Sequence, residues 1–212
     1  MTLDKYRLHI RKEGDAKNTM PMSSAIKAVL VQQLVHATVS YLLFWYVQSK
    51  TDLVGTHEIQ PPLLVHIFQI IIAMFVMDIW QYFMHRYMHT NKFVYRHVRA
   101  QHHKLVVPYA TTTFYNHHME GVFDTIGGSI AFLVSGMTAR TAIPFFCLIV
   151  VKTVDDHCGL WLLGNVFHIL FPNNIAFHDI HHQLHGSKYT FSQRFFPNLG
   201  QASWDPYAIR SC

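Results

Sequence analysis

The stretch 63-LLVHIFQIIIAMFVMDIWQYFMHRYMH-89 decides how this chain folds. From Leu63 to Met84 it is an apolar run of about 20 residues, the length a helix needs to cross a bilayer. It carries no Asp, Glu or Arg before Asp78. The same helix runs on into His85-Arg86-Tyr87-Met88-His89, which puts two imidazoles four residues apart on one helical face. A membrane helix that ends in metal-ligand spacing fixes both the class of fold and the side on which chemistry is expected.

A second block of similar length, Ala25 to Val47, lies upstream. Half of the 212 residues are apolar and only 14% are charged, and the apolar ones come in blocks rather than spread as a soluble core would spread them. Residues 1–24 are polar and charged, unlike a signal peptide, and read as a cytosolic segment. Lys5, Arg7, Arg11, Lys12 and Lys17 precede the first block; Arg86, Lys92, Arg96, Arg99 and Lys104 follow the second. Positive charge on one side makes that side cytosolic and the loop 48–62 lumenal, with two transmembrane helices inside residues 25–84. The net charge of +5 is read as topogenic charge beside anionic headgroups, not as a nucleic-acid surface. Cys147, Cys158 and Cys212 have no paired spacing, which argues against a disulfide framework or a thiolate metal site.

Two shorter apolar segments follow, Val122 to Val134 and Ala142 to Val154, separated by Ser135-Gly136-Met137. At about 13 residues each they are short for a span, so a membrane-entering helical hairpin over about 122–154 is expected, returning to the cytosolic side. Gly127 and Gly128 permit close helix approach there. Pro172 and Asn173-Asn174 mark a turn before the last histidines. The expected fold is all-α and integral to the membrane: two spanning helices, the hairpin, and a cytosolic histidine-rich helical cap holding a dinuclear metal site.

The chain has 17 histidines, and their spacing matters more than their number. After His85 and His89 come Arg99-Ala100-Gln101-His102-His103, Asn116-His117-His118-Met119-Glu120, Asp155-Asp156-His157 and His178-Asp179-Ile180-His181-His182. A lone HxxxH arises by chance, but here chance would have to act at each cluster, always on the same side of the membrane. Imidazole-rich sites without thiolates suit zinc, copper, iron or nickel, and nine candidate ligands suit two ions. Two irons with nitrogen ligands can reduce dioxygen and attack an unactivated carbon–hydrogen bond, which no side chain does alone. Glu120, Asp155, Asp156 and Asp179 are placed to orient imidazoles, and Asp78, seven residues before His85, shares its face. His9, His36, His57, His66, His97, His118, His168 and His185 are left without a metal role.

The boxes HxxxH, xxxHH and HxxHH resemble those of the fatty acid hydroxylase and sterol desaturase superfamily. Residues 101–110 (QHHKLVVPYA), 125–128 (TIGG) and 151–161 (VKTVDDHCGLW) are similar to plant sphingoid-base 4-hydroxylases, the sphinganine 4-monooxygenases, over roughly residues 3–196. The resemblance implies a multi-pass enzyme of the endoplasmic reticulum membrane with its boxes facing the cytosol. It would hydroxylate carbon 4 of sphinganine or dihydroceramide with two iron ions, dioxygen and electrons from NAD(P)H by way of cytochrome b5 and its reductase. Zinc can replace iron in such a site. Carried over residue by residue, the metal ligands fall on His85, His89, His102, His103, His117, His157, His178, His181 and His182, within a catalytic region spanning 85–196.

Four departures accompany the resemblance. The second box opens with Arg99 where the family has histidine, and His118 stands where proline is usual. A further N-terminal membrane helix of the relatives is missing, so Met1 reads as an internal start. The tail 197–212 is atypical: back-translated and read one base later, it returns the family's Trp-Asp and Gly-Thr pattern, so a shifted frame is expected. Rival readings are a sterol methyl oxidase or lipid desaturase on the same scaffold, a metal transporter, and a catalytically silent relative. Transporters place ligands at the bilayer midplane on broken helices, whereas these boxes follow the helices outward.

Overall fold

A computed structural model describes residues 3–50, 61–183, 186, 191–192 and 194–196, the side chains of 47, 48 and 50 excepted. The helices are α1 (Arg11–Lys17), α2 (Met22–Lys50), α3 (Leu63–Thr90), α4 (Lys92–His97), α5 (His118–Ser135), α6 (Ala139–His157), α7 (Val166–Leu170) and α8 (Ile175–His182). Short 3-10 turns lie at Leu3–Tyr6, Arg99–Lys104 and Ala110–Thr112. Among the described residues there is no strand, only an isolated bridge between Arg7 and Leu160. The all-α expectation holds. Residues 51–60 of the expected lumenal loop, and the tail 197–212, lie outside the described residues.

Two helices, over Met22–Tyr46 and Leu63–Thr90, are long and apolar enough to cross a bilayer. Length alone does not separate a membrane helix from a core helix, but exposure does. Leu34 is 67% exposed, Trp45 60%, Leu63 75% and Phe83 61%. An apolar surface this continuous has no stable place in water, so lipid is its solvent. α3 serves two media: its outward face is lipid-facing, while Ala73, Met74 and Met77 pack with Ala131 of α5, Phe145 and Ile149 of α6, and Phe195.

α5 and α6 have 18 and 19 residues, longer than the apolar segments inside them. Their polar ends stay helical because tertiary partners and caps hold them. Gly136 ends α5 in the left-handed region at φ 62°, where glycine carries no Cβ penalty, and the Thr138 hydroxyl accepts from the Thr141 amide to start α6. α5 packs along α2 and α3, and α6 reaches α8. A Cβ on Gly127 would lie 2.2 Å from Trp80 Cδ1, so only glycine allows α5 to sit this close to α3. Trp80 Nε1 then donates to the Phe123 carbonyl at 2.9 Å.

The N-terminal segment lies against the cap. Trp161 N donates to Tyr6 O at 2.7 Å and Leu8 N to Gly159 O at 3.1 Å. Asp78, buried in α3, accepts from Phe196 N at 2.7 Å, which ties residues 195–196 to the helix that carries the first histidine box.

Gly127→Val is expected to push α5 off Trp80 and cost about 1–3 kcal/mol by overpacking, seen as a lower unfolding midpoint of the detergent-solubilised protein. Gly14→Ala, whose Cβ would meet Val107 at an ordinary 3.6 Å, should leave the midpoint unchanged or raise it.

Candidate metal centre

Three elements converge on the first histidine group. His157 is the last residue of α6, His178 and His182 share a face of α8, and His102 comes from the turn Arg99–Lys104. All four are buried, and one ligand atom from each lies within 4.8 Å of the others. His157 Nδ1 donates to the Thr153 carbonyl at 2.8 Å and His182 Nδ1 to the Leu105 carbonyl at 2.9 Å. A carbonyl only accepts, so both protons sit on Nδ1 and both Nε2 atoms are bare lone pairs. His178 Nε2 lies 3.0 Å from one of them and 3.1 Å from the other.

His178 has at most one Nε2 proton to offer these two lone pairs, whereas a cation among them satisfies every ring at once. Tetrahedral coordination at bonds of ~2.1 Å sets nitrogens about 3.4 Å apart, close to this spacing. His102 Nδ1 is buried and unpartnered. Burial holds His102, His178 and His182 well below the usual imidazole range and lowers His157 to about 4. The rings are therefore neutral near pH 7, the form that ligates metals. This group fits a metal ion.

His85 and His89 at the end of α3 form the second group with His181 of α8, their ligand atoms again within 4.8 Å. His85 Nδ1 donates to the Phe191 carbonyl at 2.9 Å, leaving its Nε2 lone pair 3.0 Å from His181 Nε2. His103 stands between the groups: its Nε2 is 3.2 Å from His89 Nε2, and its ring lies 4.9 Å from that of His181 and 5.2 Å from that of His182.

A cation of the protein's own enters this second group. Arg99, 2% exposed, donates from Nε to His89 Nε2 at 3.0 Å and from Nη2 to His85 Nε2 at 2.8 Å, with His181 Nε2 3.4 Å away. Its Nη1 pairs with the buried Glu120 carboxylate. Burial pushes that carboxyl up to about 7 against the opposite pull of Arg99.

Of the nine histidines expected as ligands, the structure gathers seven in the two groups and His103 beside them. His117 is elsewhere: its Nδ1 caps α5 by accepting from Met119 N at 3.2 Å. The expected orienting carboxylates are also engaged elsewhere. Asp155 accepts from Asn165 at 2.6 Å and lies 3.2 Å from His168; Asp179 meets His9 at 2.9 Å; Asp156 meets Lys152 at 2.5 Å. Backbone carbonyls of Thr153, Leu105 and Phe191 orient the rings instead. Of these, Thr153 was open to inference, since it lies one helical turn before His157; Leu105 and Phe191 carry no local sequence signal.

The carboxylates position whole elements. Lys152, fully buried, donates to Asp156 and, at 2.8 Å, to the Asn173 carbonyl, so α6 and the turn before α8 are held together beside His157 and His178. His9 binds the N-terminal segment to Asp179 inside the last box.

A family model described as Fatty acid hydroxylase matches residues 70–201. The chain is 55% identical to sphinganine C4-monooxygenase 2 of Arabidopsis thaliana over 196 residues, covering 92% of this chain and 75% of that protein. It is also 55% identical to a very-long-chain aldehyde decarbonylase of Oryza sativa subsp. japonica over 195 residues, covering 92% and 74%. With the sphingolipid C4-hydroxylase of Saccharomyces cerevisiae the identity is 35% over 214 residues, covering 91% and 61%. No solved structure matches.

Lys152→Met leaves Asp156 buried and unpaired and is expected to cost about 3–5 kcal/mol, whereas Lys152→Met combined with Asp156→Leu should recover most of that loss; thermal unfolding of both variants checks it. His117→Ala should cost about 1 kcal/mol as a lost helix cap while its metal content, read by plasma mass spectrometry, stays at the parent value.

Proposed function

The chain belongs to the fatty acid hydroxylase family, and we propose that it hydroxylates carbon 4 of sphinganine or dihydroceramide to give phytosphingosine-type long-chain bases. The observation that carries this reading is the 55% identity to an Arabidopsis sphinganine C4-monooxygenase across 92% of the chain. In this reading residues 85–196 are the catalytic region. The tail 197–212 is a shifted frame; an uninterrupted genomic frame encoding it would rule that out.

Iron is the metal that His102, His157, His178 and His182 would hold. Bound there, it supplies the reduction of dioxygen and the oxidising power for an unactivated carbon–hydrogen bond, with electrons from NAD(P)H by way of cytochrome b5. The chain's own residues bind and orient the lipid. A cavity beside the histidines is lined by Gln81, Thr113, Asn116 and Asp124. Carbon 4 of a sphingoid base lies next to a hydroxyl-bearing carbon and two from an amine-bearing one, so a polar pocket beside the oxidising group suits this substrate better than a plain acyl chain. The exposed apolar faces of α2 and α3 give the alkyl tail a route from the bilayer. The Lys and Arg residues flanking both spans support a cytosolic cap, and the relatives' activity supports the endoplasmic reticulum membrane.

The rice relative, at the same identity, favours a second reading: conversion of very-long-chain aldehydes. Such a substrate has one carbonyl and no neighbouring amine for the polar cavity to recognise.

Expression in a yeast strain lacking its own 4-hydroxylase separates the two, with the chain as written and with Arg99→His on a restored tail. Phytosphingosine measured by mass spectrometry is the expected product, raised by about 10-fold or more in the Arg99→His version if a restored ligand acts as metal-site ligands commonly do. Alkane formation from very-long-chain aldehydes without phytosphingosine in either version would establish the second reading.

A further inference from the structure

We infer that this chain binds one metal ion, in the pocket of His102, His157, His178 and His182, and that the Arg99 guanidinium occupies the second position as a resident cation. The inference rests on reading the histidine boxes as metal ligands and is independent of which lipid is the substrate.

The two groups share a design up to one point. Each gathers buried or partly buried imidazoles whose ligand atoms lie within 4.8 Å, and each has a ring whose Nδ1 proton is committed to a backbone carbonyl, so that Nε2 must find a donor or a cation. In the first group no positive partner touches these nitrogens among the described residues. In the second, one does: Arg99 offers Nε–H to His89 and Nη2–H to His85, with His181 within 3.4 Å of the same nitrogen.

A guanidinium carries its charge at any pH a folded protein tolerates and has donors only, arranged in a fixed plane. Its donors take the lone pairs a metal ion would need. The ion would also have to sit in direct contact with a like charge that has no route to water, because Arg99 is 2% exposed. Leaving the site would strip Arg99 of its pairing with Glu120, itself buried, and leave that carboxylate without a counter-charge. Arg99 is therefore fixed from both ends, by imidazole acceptors on one side and a carboxylate on the other.

His103 sharpens the assignment. It lies 3.2 Å from His89 and its ring is 5.2 Å from that of His182, so it borders both positions and by itself distinguishes neither. The guanidinium, which donates to His85 and His89, separates the groups.

Metal content of the full chain tests this. The protein is purified in detergent, saturated anaerobically with ferrous iron, freed of excess metal and analysed by plasma mass spectrometry. The expected result is one equivalent per chain, rising to two in Arg99→His. In the parent background His85→Ala should leave one equivalent, whereas His178→Ala should leave none. Two equivalents in the parent, or a loss on His85→Ala, would overturn the inference; one equivalent in both the parent and Arg99→His would overturn the guanidinium as the cause of exclusion. No metal in either would overturn the metal reading of the boxes as well, while product formation in yeast reports on the substrate separately. If Arg99→His fails to fold, the contrast between His85→Ala and His178→Ala decides alone.

Discussion

Buried imidazoles held with their lone pairs facing one another are the constraint on which the rest of this structure depends. His102, His157, His178 and His182 stay neutral, His85, His157 and His182 keep their proton on the outer nitrogen, and the rings hold their positions against close neighbours. Neutrality follows from burial. Proton placement follows from the Thr153, Leu105 and Phe191 carbonyls. Position follows from ties between elements distant in sequence: Lys152 joining α6 to the turn before α8, His9 joining the N-terminal segment to Asp179, and Asp78 joining α3 to residue 196. These ties explain why Lys152, Asp156, Asp78 and Asp179 lie near the histidines while their charges are spent on other partners.

The bilayer imposes the second constraint, and α3 is where the two meet. Its apolar face is exposed to lipid while its last turns carry His85 and His89 into the cap. One rigid helix therefore fixes the depth of the metal centre relative to the membrane. The close approach of α5 at Gly127 braces that helix from the side, and the α5–α6 hairpin brings His157 back to the same end of the bundle. Fold and site are positioned by the same few contacts.

What was legible in the sequence is what depends on local periodicity. The apolar blocks gave α2 and α3, and helical spacing put His85 with His89 and His178 with His182. What was not legible depends on tertiary partners. The apolar segments of the hairpin end at about 13 residues where polar residues begin, yet Glu120, Asp155 and Asp156 remain helical since each finds a partner in the fold. His117 has the same local look as the histidines that the structure gathers, but the turn before α5 uses it as a cap. Adjacency in sequence suggests that the acidic neighbours of the boxes orient imidazoles; in the structure Asp155 meets Asn165 and His168, Asp156 meets Lys152, and Asp179 meets His9.

Arg99 shows how an apparently disabling residue can fit a site built for cations. An apolar residue in its place would remove the donors that reach His89 Nε2 and His85 Nε2 and leave Glu120 buried without its counter-charge. A guanidinium supplies donors along the directions in which those lone pairs point, and Glu120 balances its charge. On the inference that Arg99 stands where a second ion would, the pocket keeps a positive charge among its imidazoles. This is compatible with a chain that keeps its overall similarity to the fatty acid hydroxylase family while holding a buried guanidinium among the histidines of the second group.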